Sequence, residues 1–181
     1  MSVKRGGRAV TASYLQAAAT SYVERYPCSA DKLRRILQRR VAKARMLGAP
    51  VMNDVEQAID AIVAKFVASG VVDDKGFAQT KARALHRRGT SARFTRQRLK
   101  LAGIDDDTLE RALSGLDEEL GSDPAQREWR AAVALARRRR LGPFRTSEQR
   151  ADHRLRDLAA MARAGFAYDL AKKVIDSEDI A

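Results

Sequence analysis

Residues 73–121, DDKGFAQTKARALHRRGTSARFTRQRLKLAGIDDDTLERALSGLDEELG, contain the pattern that decides the fold. Aspartate or serine residues precede amphipathic segments, and a glycine follows each segment, at Gly89, Gly103 and Gly121. Asp and Ser side chains cap helix N-termini, and a glycine after the last turn permits the left-handed conformation that ends a helix. The stretch therefore predicts three short helices, the first at about 75–88, the second at about 91–102, and the third running from the aspartates at 105–107 to about 120.

Charge is sorted within this stretch. Residues 75–104 contain nine basic residues and no acidic one, whereas residues 105–120 contain seven acidic residues opposed only by Arg111. A basic helix face is often only solvated surface. Here two successive helices contain basic residues and no carboxylate. A binding surface for a polyanion or an acidic protein is therefore about as plausible as a basic face that only contacts solvent.

A helical projection of the second helix separates its basic and apolar residues. Arg93, Arg96 and Lys100 fall on one narrow arc, and the opposite half contains Phe94, Leu99 and Leu101 and is interrupted by Arg98. The same kind of projection places Leu155, Leu158 and Met161 on the inward side of a later helix. We therefore expect these apolar side chains to be buried and the basic arc to face outward.

The composition of the 181-residue chain favours an all-α protein, because Ala, Arg and Leu dominate and β-branched runs are absent. A formal net charge of +12 favours association with nucleic acid, an anionic membrane surface or an acidic protein. One cysteine excludes an intramolecular disulfide, and the sequence shows neither a signal peptide nor a membrane-spanning apolar run. We expect a cytoplasmic protein that is not associated with a membrane.

Apolar periodicity outside residues 73–121 predicts six further helices, which gives three groups of three. Two groups align, since LKLAGI at 99–104 matches MARAGF at 161–166. Stacked three-helix units predict an all-α protein of three tandem three-helix repeats that form an elongated, curved molecule. The expected segments are a disordered basic tail at 1–12 and repeats at 13–72, 73–121 and 122–181.

The sequence contains no catalytic constellation. The phosphate-binding motif GxxxxGK[ST] is absent. Neither His86 nor His153 has a second His or Cys three or four residues away, so we expect no metal and no cofactor. The aspartates at 105–107 fit a helix cap better than a cation site. These features predict a protein that is not an enzyme.

Several segments, in order, resemble the RecX family of recombination regulators. They are RYPCSADKL at 25–33, GVVDDKGFA at 70–78, Gly89 before a basic helix, LKLAGI at 99–104, and Gly165-Phe166. The resemblance covers residues 22–176 approximately and implies a fold of three tandem three-helix repeats. The chain departs from the family pattern at 41–53, where the second helix and its loop look longer, and at 138–148.

The resemblance also implies a function. Family members bind the RecA–DNA filament, lie in its groove and inhibit the ATPase, coprotease and strand-exchange activities of RecA in recombination, DNA repair and the SOS response. The implied partners are the RecA filament and the single- or double-stranded DNA within it, and we expect a monomer. A free-standing basic DNA-binding helical protein is the alternative.

Basic residues are the expected contacts with the filament, through hydrogen bonds to phosphate or carboxylate groups. We further hypothesise that the acidic third helix of the middle repeat restrains binding to bare DNA. The central contact face would comprise Arg83, Arg87, Arg88, Arg93, Arg96 and Lys100, extended by Arg34, Arg35, Arg39, Arg137, Arg138 and Arg139.

Overall fold

The computed structural model describes residues 8–178, and in that range the chain is built from α-helices, which confirms the all-α prediction. A short 3-10 helix at Gly142–Phe144 and an isolated bridge between Val10 and Val51 are the other regular features of these residues. The helices are α1 (Ala12–Val23), α2 (Ala30–Met46), α3 (Val55–Ala68), α4 (Asp74–Arg87), α5 (Ala92–Leu101), α6 (Asp106–Leu120), α7 (Pro124–Arg139), α8 (Ser147–Arg163) and α9 (Tyr168–Asp176).

Short polar side chains begin several of these helices, as the sequence predicts. Ser29 accepts a hydrogen bond from the Lys32 amide at 3.1 Å, and Asp105 accepts one from the Thr108 amide at 2.8 Å. Asp123 caps α7 in the same way, with Pro124 at the first helical position. Each cap satisfies an amide that the helix itself leaves without a partner.

The first of two compact units contains the described residues up to Phe77 together with Ala102–Ile104. Within it, α1, α2 and α3 surround a core in which Leu15, Leu33, Leu37 and Ile59 are fully buried. The chain before α1 is also anchored, because the Val10 amide donates to the Pro50 carbonyl at 2.8 Å and Val10 is buried. Ordered structure therefore begins ahead of the expected tail boundary at residue 12, and residues 1–7 of that tail lie outside the described residues.

The second unit contains Ala78–Leu101 and the described residues from Asp105 onward. Its C-terminal core lies among α7, α8 and α9, around Leu135, Met161 and Val174. Gly89, which follows α4, has a φ of +69° and approaches the α7 backbone so closely that an added Cβ would lie 2.4 Å from the Leu135 nitrogen. A side chain at this position is therefore excluded on two grounds, the left-handed backbone and the contact with α7.

The N-termini of α2 and α5 are held by the same arrangement of hydrogen bonds. The Ser29 hydroxyl donates to the Ala102 carbonyl, and the Ser91 hydroxyl donates to the Ala164 carbonyl at 2.8 Å. Both bonds span 73 residues of sequence. One bond lies within each compact unit, so the same arrangement occurs twice at the same sequence spacing.

A carboxylate completes each of these two arrangements. The amide of Ala30 donates to Asp74 at 2.8 Å, and the amide of Ala92 donates to Glu128 at 2.8 Å. An anionic group at a helix N-terminus is favoured because the unpaired amides and the helix dipole both attract it. Different residue types, Asp in one case and Glu in the other, therefore serve the same purpose.

Two apolar residues expected in the core are exposed instead. Leu101 is 66% exposed, because the buried residues of α5 are Thr95 and Leu99, and Leu101 projects away from that side in the last residue of the helix. Leu155 is 76% exposed, because α8 buries the side that contains Asp157 and Leu158. Leu158 and Met161 are buried as predicted, so in this helix the prediction is wrong for Leu155 alone, and the buried side of α8 includes the charged residue Asp157.

Candidate nucleic-acid interface

The basic residues expected at the centre of the contact face lie on α4, α5 and the turn between them, in the second unit. Arg96 is half-buried, and the other five are exposed. Arg87 is the last residue of α4, Arg88 lies in the turn before Gly89, and Arg93 lies in the first turn of α5. The polypeptide therefore presents the side chains of this part of the predicted face to solvent.

Acidic residues of α6 pair with half of these central basic residues. Arg96 forms a bidentate pair with Glu110, with distances of 2.7 and 3.0 Å. Lys100 pairs with Asp106 at 2.7 Å, and Arg83 pairs with Glu119. The charge segregation in the sequence thus becomes a row of ion pairs between the basic helices and α6.

The pair between Arg96 and Glu110 is strong enough to alter proton affinity. Hydrogen bonding from Arg96 holds the pKa of Glu110 below its ordinary value, and hydrogen bonding to Glu110 raises the pKa of Arg96. Both groups therefore remain charged in neutral solution, and the pair persists there.

The other central residues, Arg87, Arg88 and Arg93, form no salt bridge within residues 8–178. The central face consequently has two parts. In one part the cations are already paired with α6 carboxylates, and in the other part they are available to an external anion. A partner with several phosphates or carboxylates could bind the second part without breaking an existing ion pair.

The basic residues expected to extend the face occupy two other places. Arg34, Arg35 and Arg39 lie on α2 in the first unit, where Arg34 pairs with Asp60 at 2.9 Å and Arg35 pairs with Asp31 of its own helix. Arg137, Arg138 and Arg139 lie on the last turn of α7, and all three are exposed. The guanidinium of Arg137 lies 5.3 Å from the centre of the Phe144 ring.

A buried polar cluster beside α5 was not foreseen from the sequence. Arg127 is buried and donates hydrogen bonds to the Leu113 carbonyl, at 3.1 Å, and to Asp117. Burial raises the pKa of Glu128, which caps α5, and burial together with the Arg127 charge lowers the pKa of His86. No local sequence pattern links these residues, since they come from three different helices.

The described part of the chain offers no group of three or more His, Cys, Asp or Glu residues arranged to hold a metal ion. Cys28 is buried, and burial raises the pKa of its thiol, which opposes formation of the reactive thiolate. In residues 8–178, none of the helices combines the length and the apolar character needed to cross a bilayer.

Comparison with known proteins identifies the family. A family model described as "RecX, second three-helix domain" matches residues 73–113, which include α4 and α5. A protein of Myxococcus xanthus named "Regulatory protein RecX" is 39% identical over 171 residues, which cover 94% of this chain and 88% of that protein. The chain belongs to the RecX family. The resemblance inferred from the sequence is thereby confirmed.

Further RecX proteins agree with this assignment. A "Regulatory protein RecX" of Thermobifida fusca is 30% identical over 127 residues, which cover 69% of this chain and 65% of that protein. The crystal structure of RecX from Lactobacillus salivarius matches with a TM-score of 0.61 at 20% identity, over 92% of this chain and 96% of that chain. The fold is therefore that of known RecX structures.

Proposed function

We propose that this RecX-family chain is a non-enzymatic regulator that binds the RecA–DNA filament and inhibits the ATPase, coprotease and strand-exchange activities of RecA. It acts as a monomer in the cytoplasm. Family membership supports a regulatory role, and the observation that supports a charged filament partner is the exposed basic surface of α4 and α5. The division into repeats at 13–72, 73–121 and 122–181 remains part of this proposal.

The available cations Arg87, Arg88 and Arg93 are the proposed primary contacts. Guanidinium groups donate planar, paired hydrogen bonds that match phosphate and carboxylate oxygens, so these residues suit both the DNA and the acidic protein surface of a filament. Arg83, Arg96 and Lys100 contribute only where a partner displaces Glu119, Glu110 or Asp106. The remaining predicted contacts on α2 and α7 add further weak contacts, whose combination raises the overall affinity for a repetitive partner.

A DNA-dependent RecA ATPase assay tests the proposal directly. The protein is titrated from substoichiometric to stoichiometric ratios, and we expect progressive inhibition. Reversal of the available cations in Arg87→Glu/Arg88→Glu/Arg93→Glu should raise the concentration needed for half-inhibition about tenfold or more, because attraction becomes repulsion at three positions. Absence of inhibition by the unmodified protein would refute the proposed function.

A matched control separates the contact face from a general effect of charge. Arg163, Lys172 and Lys173 are exposed residues of the same unit, and their reversal to Glu changes the net charge by the same amount. We expect this variant to retain inhibition. Equal losses in the two triple variants would show that net charge matters and that α4 and α5 have no special role.

The alternative function is a DNA-binding protein that acts without RecA. The net charge of +12 favours this alternative, because such a charge attracts any polyanion. Binding to bare DNA with a steep salt dependence, unaccompanied by an effect on the RecA ATPase, would support it. Tighter binding to RecA-coated DNA than to bare DNA would exclude it.

A further inference from the structure

Two tyrosines at the end of α1 form an aromatic pair at the surface of the first unit. The rings of Tyr22 and Tyr26 are 5.3 Å apart and inclined by 39°. Tyr22 packs against the core, whereas Tyr26 is 54% exposed. The inner ring therefore supports the outer ring, whose surface remains accessible to a ligand.

The intervening Arg25 does not cover this pair by stacking on it. Its guanidinium is held along α1 by hydrogen bonds to the Ser21 carbonyl, at 2.9 Å, and to the Ser21 hydroxyl, at 2.6 Å. The positive charge of Arg25 is therefore held against the last turns of α1.

A line of basic residues follows the outward side of α2, which packs against α1. Lys32, Arg39 and Lys43 are spaced by seven and four residues, so they lie on one face of the helix. All three are exposed, and none forms a salt bridge within the described residues. We call these three residues the α2 stripe.

The aromatic pair and the α2 stripe are close to each other. Tyr22 packs against the core of the first unit, to which Leu33 and Leu37 of α2 contribute, and α1 packs against α2. In agreement with this packing, the Arg39 charge acts on the Tyr22 phenol, whose pKa is raised by burial. Lys32 also lies near the loop that follows Tyr26, since the Lys32 amide donates to the hydroxyl of Ser29, the last residue before α2, at 3.1 Å. Aromatic and basic side chains that are separate in the sequence are thus neighbours on one surface.

We propose that Tyr26, supported by Tyr22, and the α2 stripe form a binding site for single-stranded nucleic acid. The stripe contacts the phosphates of the strand, and the exposed ring of Tyr26 stacks on an unpaired base. This combination of a cationic track and an aromatic platform is typical of proteins that bind single strands with little sequence preference. A duplex cannot use the platform, because its bases are already stacked on each other. An acidic protein would use the stripe alone.

The test uses the full-length protein without RecA, and it measures binding of fluorescent oligo(dT) and of a duplex of equal length at low salt. Tyr26→Ala should weaken binding of oligo(dT) about fivefold or more and leave duplex binding unchanged, since stacking of one base is lost. Tyr26→Phe should bind like the unmodified protein, because the ring remains. Tyr168→Ala is the matched control, since Tyr168 is a comparably exposed tyrosine at 62%.

The stripe is tested separately by Arg39→Glu/Lys43→Glu against the control Lys172→Glu/Lys173→Glu. The stripe variant should bind oligo(dT) less tightly than the control and show a shallower dependence on salt. The proposal is overturned if Tyr26→Ala binds oligo(dT) normally, if it loses oligo(dT) and duplex equally, if Tyr26→Phe is as weak as Tyr26→Ala, or if the two charge variants behave alike. The RecA ATPase assay is a separate measurement, so failure here and failure of the proposed function are distinguishable.

Discussion

Arg96 of α5 donates two hydrogen bonds to Glu110 of α6, from Nε at 2.7 Å and from Nη2 at 3.0 Å. The carboxylate of Glu110 therefore accepts the two hydrogen bonds that Arg96 could otherwise donate to a phosphate of the proposed partner. Exposed ion pairs of this kind contribute only about 0–1 kcal/mol to stability, so a partner with denser negative charge can displace the carboxylate. We therefore expect the acidic helix to compete with external anions without preventing their binding.

The first prediction concerns this competition. The double substitution Glu110→Gln/Glu119→Gln removes the partners of Arg96 and Arg83, and it should raise affinity for bare duplex DNA about three- to tenfold at low salt. Fluorescence anisotropy with a labelled duplex measures the change. The gain should shrink as salt rises, because screening weakens the newly exposed charges.

A control on the same helix separates the loss of these two ion pairs from a change in net charge. Asp107→Asn/Glu118→Gln changes the net charge equally, yet Asp107 pairs with Arg111 of α6 itself and Glu118 forms no salt bridge within the described residues. We expect a smaller gain from this variant. If both variants gain the same affinity, the effect reflects net charge and the competition by α6 is refuted.

The second prediction concerns the hydrogen bond that fixes the start of α5. Ser91 is fully buried and donates to the Ala164 carbonyl, so Ser91→Ala should lower the free energy of unfolding by about 1–3 kcal/mol through loss of the bond and desolvation of the carbonyl. Urea denaturation followed by circular dichroism measures the change. Ser122→Ala is the control, because the hydroxyl of the half-buried Ser122 has no hydrogen-bond partner among residues 8–178 and its removal should cost little. Equal losses would show that the bond has no particular importance.

Local chemistry made much of the helical framework predictable. Ser29, Asp105 and Asp123 are residue types that favour the N-cap position, and each caps its helix in the structure. The family could also be predicted from the sequence, since the resemblance depends on short segments that occur in a particular order. These patterns involve residues that are close in the sequence, so they can be identified without knowledge of the tertiary structure.

Contacts between distant residues were not predictable in the same way. The acceptor of the Ser91 hydroxyl is 73 residues away, and the proximity of Arg39 to Tyr22 depends on how α1 and α2 pack. Leu155 shows the reverse error, since periodicity assigned it to the core but α8 buries Asp157, Leu158 and Met161 and leaves Leu155 exposed. Amphipathic patterning identifies helices, but it does not predict that a charged residue such as Asp157 is buried while an apolar residue of the same helix is exposed.

The third prediction compares two glycines that both end helices of the second unit with positive φ. An added Cβ at Gly89 would collide with the α7 backbone, whereas at Gly121 nothing lies within 4 Å. Gly121→Ala should therefore cost about 1 kcal/mol for the left-handed conformation alone. Gly89→Ala should cost at least about 1–3 kcal/mol more, because the backbone of α7 must move. Thermal unfolding distinguishes the two, and equal midpoints would contradict the close approach of Gly89 to Leu135.

The fourth prediction concerns the buried carboxylate of Asp157, which is 1% exposed. Arg145 donates to it from Nε and Nη2 at 2.7 and 2.8 Å, and the Gly142 amide donates at 2.8 Å. Burial acts to raise the pKa of Asp157, but the hydrogen bonds outweigh it, and the pKa lies below the ordinary value of 3.8. The charged form therefore stabilises the fold above that value, and its contribution is lost as pH falls through the folded-state pKa.

Asp157→Asn should consequently lower the free energy of unfolding by about 3–5 kcal/mol at pH 7, because Arg145 loses its charged partner in a largely buried site. The difference from the unmodified protein should narrow as pH falls below about 4, because the carboxyl group is first protonated in the unfolded state and then, as pH falls through the lower folded-state pKa, in the folded protein. Asp176→Asn is a matched control, since Asp176 accepts the same two hydrogen bonds from Arg154 at 2.7 and 2.8 Å but in a more exposed place. It should cost far less. A stability difference for Asp157→Asn that stays constant from pH 7 to pH 3 would show that packing, and not the charge of the carboxylate, accounts for the loss.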